Sequence, residues 1–134
     1  MMISTRGRYA LRVLIDLAEQ ERSAYVPLKE IAAQQGLSQK YLESIMGALS
    51  KGGLVEGVHG KGGGYRLNRP PEDCSVGEIL RLTEGDHIVS AACLGTGADA
   101  CERAGDCKAF PVWDKLNTLI NDYLDSVTLR DLIT

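Results

Sequence analysis

The sequence predicts a mainly α-helical fold: a winged helix-turn-helix with a two-stranded wing and a long C-terminal dimerisation helix. Two short amphipathic segments, 28–35 and 38–51, are joined by a tight turn that contains glycine, which is the order expected of a helix-turn-helix. Two apolar runs follow, 54–58 and 65–67, and the connection between them is rich in glycine, as in a β-hairpin. A helix and a flexible cationic loop on one side of a small domain are what a DNA groove and its phosphates require.

The remaining N-terminal elements surround this motif. A first helix is predicted over 5–20, because apolar residues recur on one helical face. These residues are Ala10, Val13, Leu14, Leu17 and Ala18. The prolines at 70–71 end the wing, since two prolines cannot continue a strand ladder, and a short helix is predicted over 75–83. We therefore expect a DNA-binding domain over 1–83, followed by a cysteine-containing loop over 84–110.

The C-terminal region, 111–134, is predicted to form the dimerisation helix and a short terminal helix. Pro111 suits the first turn of a helix, and Thr128 with Asp131 three residues later is a capping-box variant that starts another. The apolar stripe of the long helix is broader than one small domain needs. It predicts a homodimer interface formed by Trp113, Leu116, Ile120, Tyr123, Leu124 and Val127.

Charge is distributed unevenly along the chain, whose formal net charge is −3. Residues 1–69 contain ten Lys and Arg against six Asp and Glu, a net charge of +4. Residues 70–134 contain five against twelve, a net charge of −7. The N-terminal half would therefore face a polyanion, and the acidic C-terminal half would face away from it.

The second helix of the motif has the composition of a recognition helix. Its buried stripe is formed by Leu42, Ile45, Met46 and Leu49. Ser38 can cap its N-terminus, and Gln39 and Lys40 lie in the first turn, which enters the major groove. Lys can donate to guanine, Gln can bridge adenine, and the carboxylate of Glu43 can accept from cytosine N4. A solvated polar face would contain the same residue types, but the adjacent wing favours DNA.

The predicted tip of the wing has four glycines within residues 60–64, more than a two-residue hairpin needs. The additional glycines permit close approach to phosphate or to the minor-groove floor, whereas the alternative is a merely flexible hairpin. His59, Lys61 and Arg66 would supply positive or donor groups. The predicted DNA-binding residues are Arg6, Arg8, Ser38, Gln39, Lys40, Tyr41, Glu43, His59, Lys61, Gly62, Gly63 and Arg66.

Three cysteines, Cys93, Cys101 and Cys107, are separated by seven and then five residues in a glycine-containing loop. Paired zinc ligands usually have two residues between them, whereas wider spacing on a pliable loop suits an iron–sulfur cluster. Thiol oxidation sensing and incidental cysteines are the alternatives. Cys74 is expected to be a small buried residue.

With these motifs the chain resembles the bacterial family of winged-helix repressors that contains IscR, NsrR and CymR. The resemblance covers nearly the whole chain and rests on segments 3–11, 37–43, 53–55, 62–65 and 75–79, the cysteine loop, Trp113 and 128–132. It implies a homodimer joined through the long helix, with one recognition helix and wing on each half-site of a double-stranded DNA operator. It also implies that Cys93, Cys101 and Cys107 ligate a [2Fe-2S] or [4Fe-4S] cluster.

The chain departs from that family pattern at the fourth ligand. IscR, the regulator of iron–sulfur cluster assembly, has a histidine three residues after its third cysteine, where this chain has Phe110. NsrR, the nitric-oxide sensor of the family, uses a carboxylate at the start of the first helix as a ligand, where this chain has Arg8. The first cysteine spacing is also longer than the five residues of those relatives. The fourth ligand stays open among His87, Glu102, Asp106, Cys74 and an exogenous group.

These observations predict a dimeric, sequence-specific transcriptional repressor whose operator affinity is controlled by an iron–sulfur cluster. A cluster-free regulator that responds to a thiol metabolite or a partner protein is the alternative. An enzymatic or electron-carrying module is disfavoured because no catalytic constellation accompanies the cysteines, and a protein-interaction module is disfavoured by the charge split. No apolar run is long enough to span a bilayer and the N-terminus has no apolar signal region, so we expect a cytoplasmic protein without a membrane partner.

Overall fold

A computed structural model describes residues 3–20, 23–85, 88, 102–103 and 105–134. Within these residues the chain forms six α-helices, two strands and one 3₁₀ helix. In chain order they are α1 (Thr5–Glu19), α2 (Leu28–Gln35), α3 (Gln39–Lys51), β1 (Val55–Val58), β2 (Gly64–Leu67), the 3₁₀ helix Pro71–Asp73, α4 (Val76–Glu84), α5 (Phe110–Ser126) and α6 (Leu129–Ile133). No helix in the described part of the chain has both the length and the apolar composition to cross a membrane. The mainly helical fold with a two-stranded wing is thus confirmed.

The helix ends follow the signals that the sequence contains. Helix α2 ends at Gly36, whose φ of 67° lies in the left-handed region that favours glycine. Ser38 Oγ accepts a hydrogen bond from the backbone N–H of Tyr41 at 3.1 Å and so caps α3 as predicted. Thr128 and Asp131 complete the predicted capping box of α6.

The main hydrophobic core lies between α1 and the helix-turn-helix. The predicted stripe of α3 is fully buried in it, namely Leu42, Ile45, Met46 and Leu49, and the predicted face of α1 is buried as well. Burial of one such side chain contributes roughly 1.5–3 kcal/mol. Cys74 is also fully buried in this core, as predicted. Because one face of α3 is held by the core, its opposite face is directed outward.

The wing is an antiparallel hairpin that is attached to the chain before α2. Strands β1 and β2 pair in a register that runs from Val55 opposite Leu67 to Val58 opposite Gly64. Val26 and Tyr65 exchange backbone hydrogen bonds of 2.8 and 2.9 Å. At Gly64 a Cβ atom would overlap the Val26 carbonyl, so glycine is required for this attachment. The base of the wing is therefore fixed relative to the helix-turn-helix.

The apolar residues of α5 lie in two different environments. Ile120, Leu124 and Val127 are partly buried against α4 and Ile88 of their own chain. The exposed apolar side chains of α5 are Val112, Trp113, Leu116, Leu119 and Tyr123. The dimer interface on this stripe stays a prediction, and α4 already covers part of the residues that would form it.

Candidate nucleic-acid interface

The outward face of α3 presents polar side chains at its N-terminal end. Gln39, Lys40 and Glu43 are exposed there, in the first two turns. Lys40 takes part in none of the ion pairs that the structure describes. Three side chains with different hydrogen-bonding capacity are thus available to an external partner, as base recognition requires.

A groove of about 700 Å³ separates this face of α3 from the wing. Glu43 and Ser50 line it from α3, while Val58, His59 and Gly60 line it from the wing. The structure therefore brings three of the predicted DNA-binding residues to one groove, Glu43 from α3 and His59 and Gly63 from the wing. This places the recognition helix and the wing on a single surface, as the sequence predicted.

The tip of the wing is open and glycine-rich. Gly60 and Gly62 have φ values of 93° and 79°, which L side chains rarely adopt. The N–H of Gly63 donates to the Gly60 carbonyl at 3.0 Å and closes the turn. His59 and Lys61 are exposed on either side of Gly60. The turn thus presents a primary ammonium and an imidazole on a backbone that other groups can approach closely.

The two N-terminal arginines have different surroundings. Arg6 donates from Nη1 to Ser44 Oγ at 2.7 Å and from Nη2 to the Ser44 carbonyl at 3.0 Å. This places the Arg6 guanidinium directly beside the outward face of α3. Arg8 is exposed, and its Nη2 donates to Thr5 Oγ1 at 3.2 Å within α1.

Two predicted DNA-binding residues have substantial contacts within the chain. Arg66 forms an ion pair with Glu56 at 3.2 Å and lies over the Tyr25 ring at 4.4 Å from its centroid. Tyr41 packs edge-on against Tyr9, with 6.2 Å between ring centroids, and contributes to the core. The Arg66 guanidinium therefore already has partners within the chain, and the Tyr41 ring packs on the core side of α3.

The cysteine loop lies mostly outside the described residues. This applies to Cys93, Cys101 and the candidate ligand His87. Cys107 is described as a free, exposed thiol, and the N–H of Phe110 at the start of α5 donates to its carbonyl at 3.2 Å. Within the described parts of the chain, no three His, Cys, Asp or Glu side chains come together as a metal site.

Sequence reasoning missed one arginine, Arg69, which connects the residues directly after α3 to α4. Arg69 donates from Nη2 to Glu78 at 2.7 Å and to the Gly52 carbonyl at 3.0 Å. It also reaches the carbonyls of Gly53 and Asp73. No local pattern indicates these partners, because the wing hairpin separates Arg69 from α3 in the sequence.

The fold and this surface define a class of protein, the winged helix-turn-helix proteins. The chain also matches the sequence model of the Rrf2 family, described as an iron-dependent transcriptional regulator, over residues 3–134. It therefore belongs to the Rrf2 family of transcriptional regulators, which confirms the resemblance seen in its motifs. The relatives of the chain are described as helix-turn-helix transcriptional regulators and not as enzymes.

Individual relatives agree with this assignment. The chain is 38% identical over 133 residues to a helix-turn-helix transcriptional regulator of Neisseria meningitidis, which covers 99% of this chain and 88% of that protein. Among solved structures it is similar to CymR, the global cysteine regulator of B. subtilis, with a TM-score of 0.77, 34% identity and coverage of 99% and 96% of the two chains. It is also similar to IscR of T. potens, with a TM-score of 0.75, 36% identity and coverage of 99% and 86%.

Proposed function

We propose that this protein is a homodimeric, sequence-specific repressor that binds double-stranded operator DNA in the bacterial cytoplasm. The observation that carries the proposal is the groove lined by both Glu43 and His59. It joins the first turns of α3 to the wing tip, so that one DNA duplex can meet both elements. A recognition helix reads base edges in the major groove, while a glycine-rich cationic loop meets phosphate or the adjacent minor groove.

The interface divides into residues for base recognition and residues for phosphate contact. We assign base recognition to Gln39, Lys40 and Glu43, whose side chains are exposed on α3. Phosphate contact is assigned to Lys61 at the wing tip and to Arg8 of α1, both of which are exposed, with Arg6 beside α3. Such contacts carry most of the affinity without sequence preference, and the base contacts supply discrimination.

The exposed side of α5 supports assembly into a homodimer. Trp113, Leu119 and Tyr123 are 42%, 55% and 66% exposed in the single chain. An apolar side of a helix with this exposure is costly in water and is suited to an isologous interface. A two-fold dimer would place two copies of α3 on successive half-sites of a palindromic operator.

We further propose that an iron–sulfur cluster held by Cys93, Cys101 and Cys107 controls operator affinity. The Cys107 thiol is exposed, and this supports the proposal because a cysteine ligand must be accessible to the iron that it binds. By contrast, Cys74 is fully buried and its Sγ lies 3.6 Å from the Pro70 carbonyl, so it is not a candidate fourth ligand without unfolding of the core. When bound, such a cluster supplies sensitivity to oxidants and nitric oxide. Cys107 lies three residues before the start of α5, so a ligand at this thiol would lie close to the proposed dimer helix.

A cluster-free regulator that responds to a thiol metabolite or to a partner protein is the second candidate. The similarity to CymR, described as a global cysteine regulator, favours it. Phe110 also favours it, because this side chain cannot ligate iron at the position where the cluster-assembly regulators have histidine. Both candidates use the same DNA surface and differ only in the signal.

Selection of bound duplexes from a random double-stranded pool tests the shared part of this proposal. We expect enrichment of a palindrome whose half-sites are centred about 10 base pairs, or a multiple of that distance, apart. Enrichment of no sequence above the unselected pool would contradict sequence-specific binding. Enrichment of single half-sites without a palindrome would contradict the dimeric arrangement.

A further inference from the structure

A second groove lies along the later turns of α3, and of the three proposed base contacts only Glu43 lines it. Its volume is about 500 Å³, and it is lined by Arg6 of α1, by Glu43, Ser44, Gly47 and Lys51 of α3, and by Leu82 of α4. Glu43 lines this groove as well as the groove beside the wing. The second groove thus begins at a residue that we assign to base recognition and follows α3 toward its C-terminus.

Gly47 lies in the interior of α3, where glycine destabilises a helix relative to alanine. The residue is exposed, and apart from its chain neighbours and the nearby backbone of α3 no described atom lies within 4 Å of the position that a Cβ would occupy. Its φ is not positive. Neither its neighbours in the described chain nor its backbone conformation therefore requires glycine. A bare helical backbone that the fold does not need indicates close approach by an external group.

Two cations lie on either side of this bare backbone. Arg6 is anchored one turn before Gly47 by its two hydrogen bonds to Ser44. Lys51 is one turn after Gly47 and exposed, on the same side of the helix. Neither cation takes part in an ion pair among those that the structure describes. The Ser44 hydroxyl accepts from Arg6 and retains its own proton for donation.

We propose that this groove is a phosphate subsite, in which the backbone of one DNA strand lies against Gly47 between Arg6 and Lys51. The inference rests on the proposed function, because the phosphates belong to the duplex that the first turns of α3 would read. Residues at the N-terminal end of a recognition helix contact base edges, so the later turns pass the phosphates at the edge of the groove. Glu43 repels phosphate, and this places the phosphates at the Gly47 and Lys51 end.

The Gly47→Ala variant distinguishes a role of Gly47 in phosphate contact from a role in the fold, because we expect it to raise stability and to weaken DNA binding. We expect a thermal midpoint higher by a few degrees, since alanine favours the helix. We also expect binding that is weaker by roughly tenfold to the selected operator and to an unrelated duplex alike, since phosphate contacts do not carry sequence preference. Thr118→Ala is the matched control: it is an exposed substitution on α5 that also favours helix and should leave both affinities unchanged.

The Lys51→Gln variant provides a second measurement that does not depend on glycine. Loss of one phosphate contact should reduce the slope of log affinity against log salt by about one unit per subunit. Equal slopes for wild type and Lys51→Gln would overturn the inference, as would unchanged or purely operator-specific effects of Gly47→Ala. A wild-type protein that binds neither duplex would instead contradict the proposed function itself.

Discussion

Arg69 and Glu78 form a two-pronged ion pair that connects the DNA-binding motif to α4. Arg69 Nη2 donates to Glu78 Oε1 at 2.7 Å, and Nη1 donates to Oε2 at 2.9 Å. The same guanidinium donates to the carbonyl of Gly52, directly after α3, at 3.0 Å. The hydrogen bond to Glu78 raises the pKa of Arg69, while burial acts in the opposite direction. Because the pKa of Arg69 is raised, the contribution of its positive charge to stability persists up to the ordinary arginine value and is lost only at more alkaline pH.

The Arg69→Gln variant should lower the free energy of unfolding without changing the surface that faces DNA. The substitution removes an ion pair whose side chains are only 30% and 38% exposed and leaves backbone carbonyls with fewer donors. We expect a loss of about 1–3 kcal/mol, measured by urea denaturation. Arg130→Gln is the matched control, because its ion pair with Glu72 is 50% and 55% exposed and should contribute less than about 1 kcal/mol. Equal losses of unfolding free energy in the two variants would show that the contacts of Arg69 stabilise the fold no more than an exposed ion pair does.

The contrast between Leu42 and Arg69 shows what the sequence could and could not reveal. Leu42 and the other core residues of α3 repeat at helical spacing, so a local pattern is sufficient to predict their burial. Arg69 acts on carbonyls that lie 16 and 17 positions earlier in the chain, and only the folded hairpin brings them together. The contacts of Arg66 are predictable to an intermediate degree. Once the turn of the hairpin is known, it fixes the register that pairs Arg66 with Glu56.

Helix α5 illustrates a different limit. Periodicity identifies Ile120 and Leu116 as apolar residues of one helix, but it does not say which surface covers each of them. The structure packs Ile120 against α4 and leaves Leu116 36% exposed. A substitution at Ile120 would therefore damage the fold of the subunit as well as a dimer, and Leu116 is the better position for a test of assembly.

The Leu116→Asp variant should produce a folded monomer. Each subunit would contribute one buried carboxylate to the isologous interface, so the single change acts twice at the two-fold axis. We expect sedimentation as a monomer, with a circular dichroism spectrum like that of wild type and weakened operator binding. Leu132→Asp on α6, where the native leucine is 43% exposed, serves as the control and should sediment as the wild type does. A dimer that persists in Leu116→Asp would place the interface on another surface.

Glu43 and Lys61 should respond to substitution in different ways. Glu43→Ala should relax discrimination at particular base pairs, with a change on the order of 1–3 kcal/mol, because its carboxylate is assigned to a base edge. Lys61→Ala should weaken binding to all duplexes and reduce the salt slope by about one unit for each lost phosphate contact. Competition binding with operator variants at several salt concentrations measures both effects. An unchanged base preference in Glu43→Ala would show that this residue does not read sequence.

The cysteines distinguish the two proposed signals. If a cluster is bound, anaerobic reconstitution should load iron and sulfide, and Ala at Cys93, Cys101 or Cys107 should each abolish the visible absorption. Cys74→Ala is the internal control: it should retain the absorption and lose on the order of 1 kcal/mol of stability, because the native thiol is fully buried in the core. The DNA-binding core should remain folded in the three loop variants, since its buried residues belong to the N-terminal elements and to α4 and α6.

Operator affinity completes this test, because absorption alone shows that a cluster binds but not that it regulates. The Cys107 carbonyl accepts from the N–H of Phe110, so this cysteine is part of the turn that starts the proposed dimer helix. We therefore expect each loop variant to change operator affinity relative to the reconstituted wild type. Cluster control would be contradicted by a chain that loads no iron and sulfide but whose operator affinity rises or falls when a thiol metabolite is added. The proposed cluster-free regulator that responds to a thiol metabolite would then be the better account.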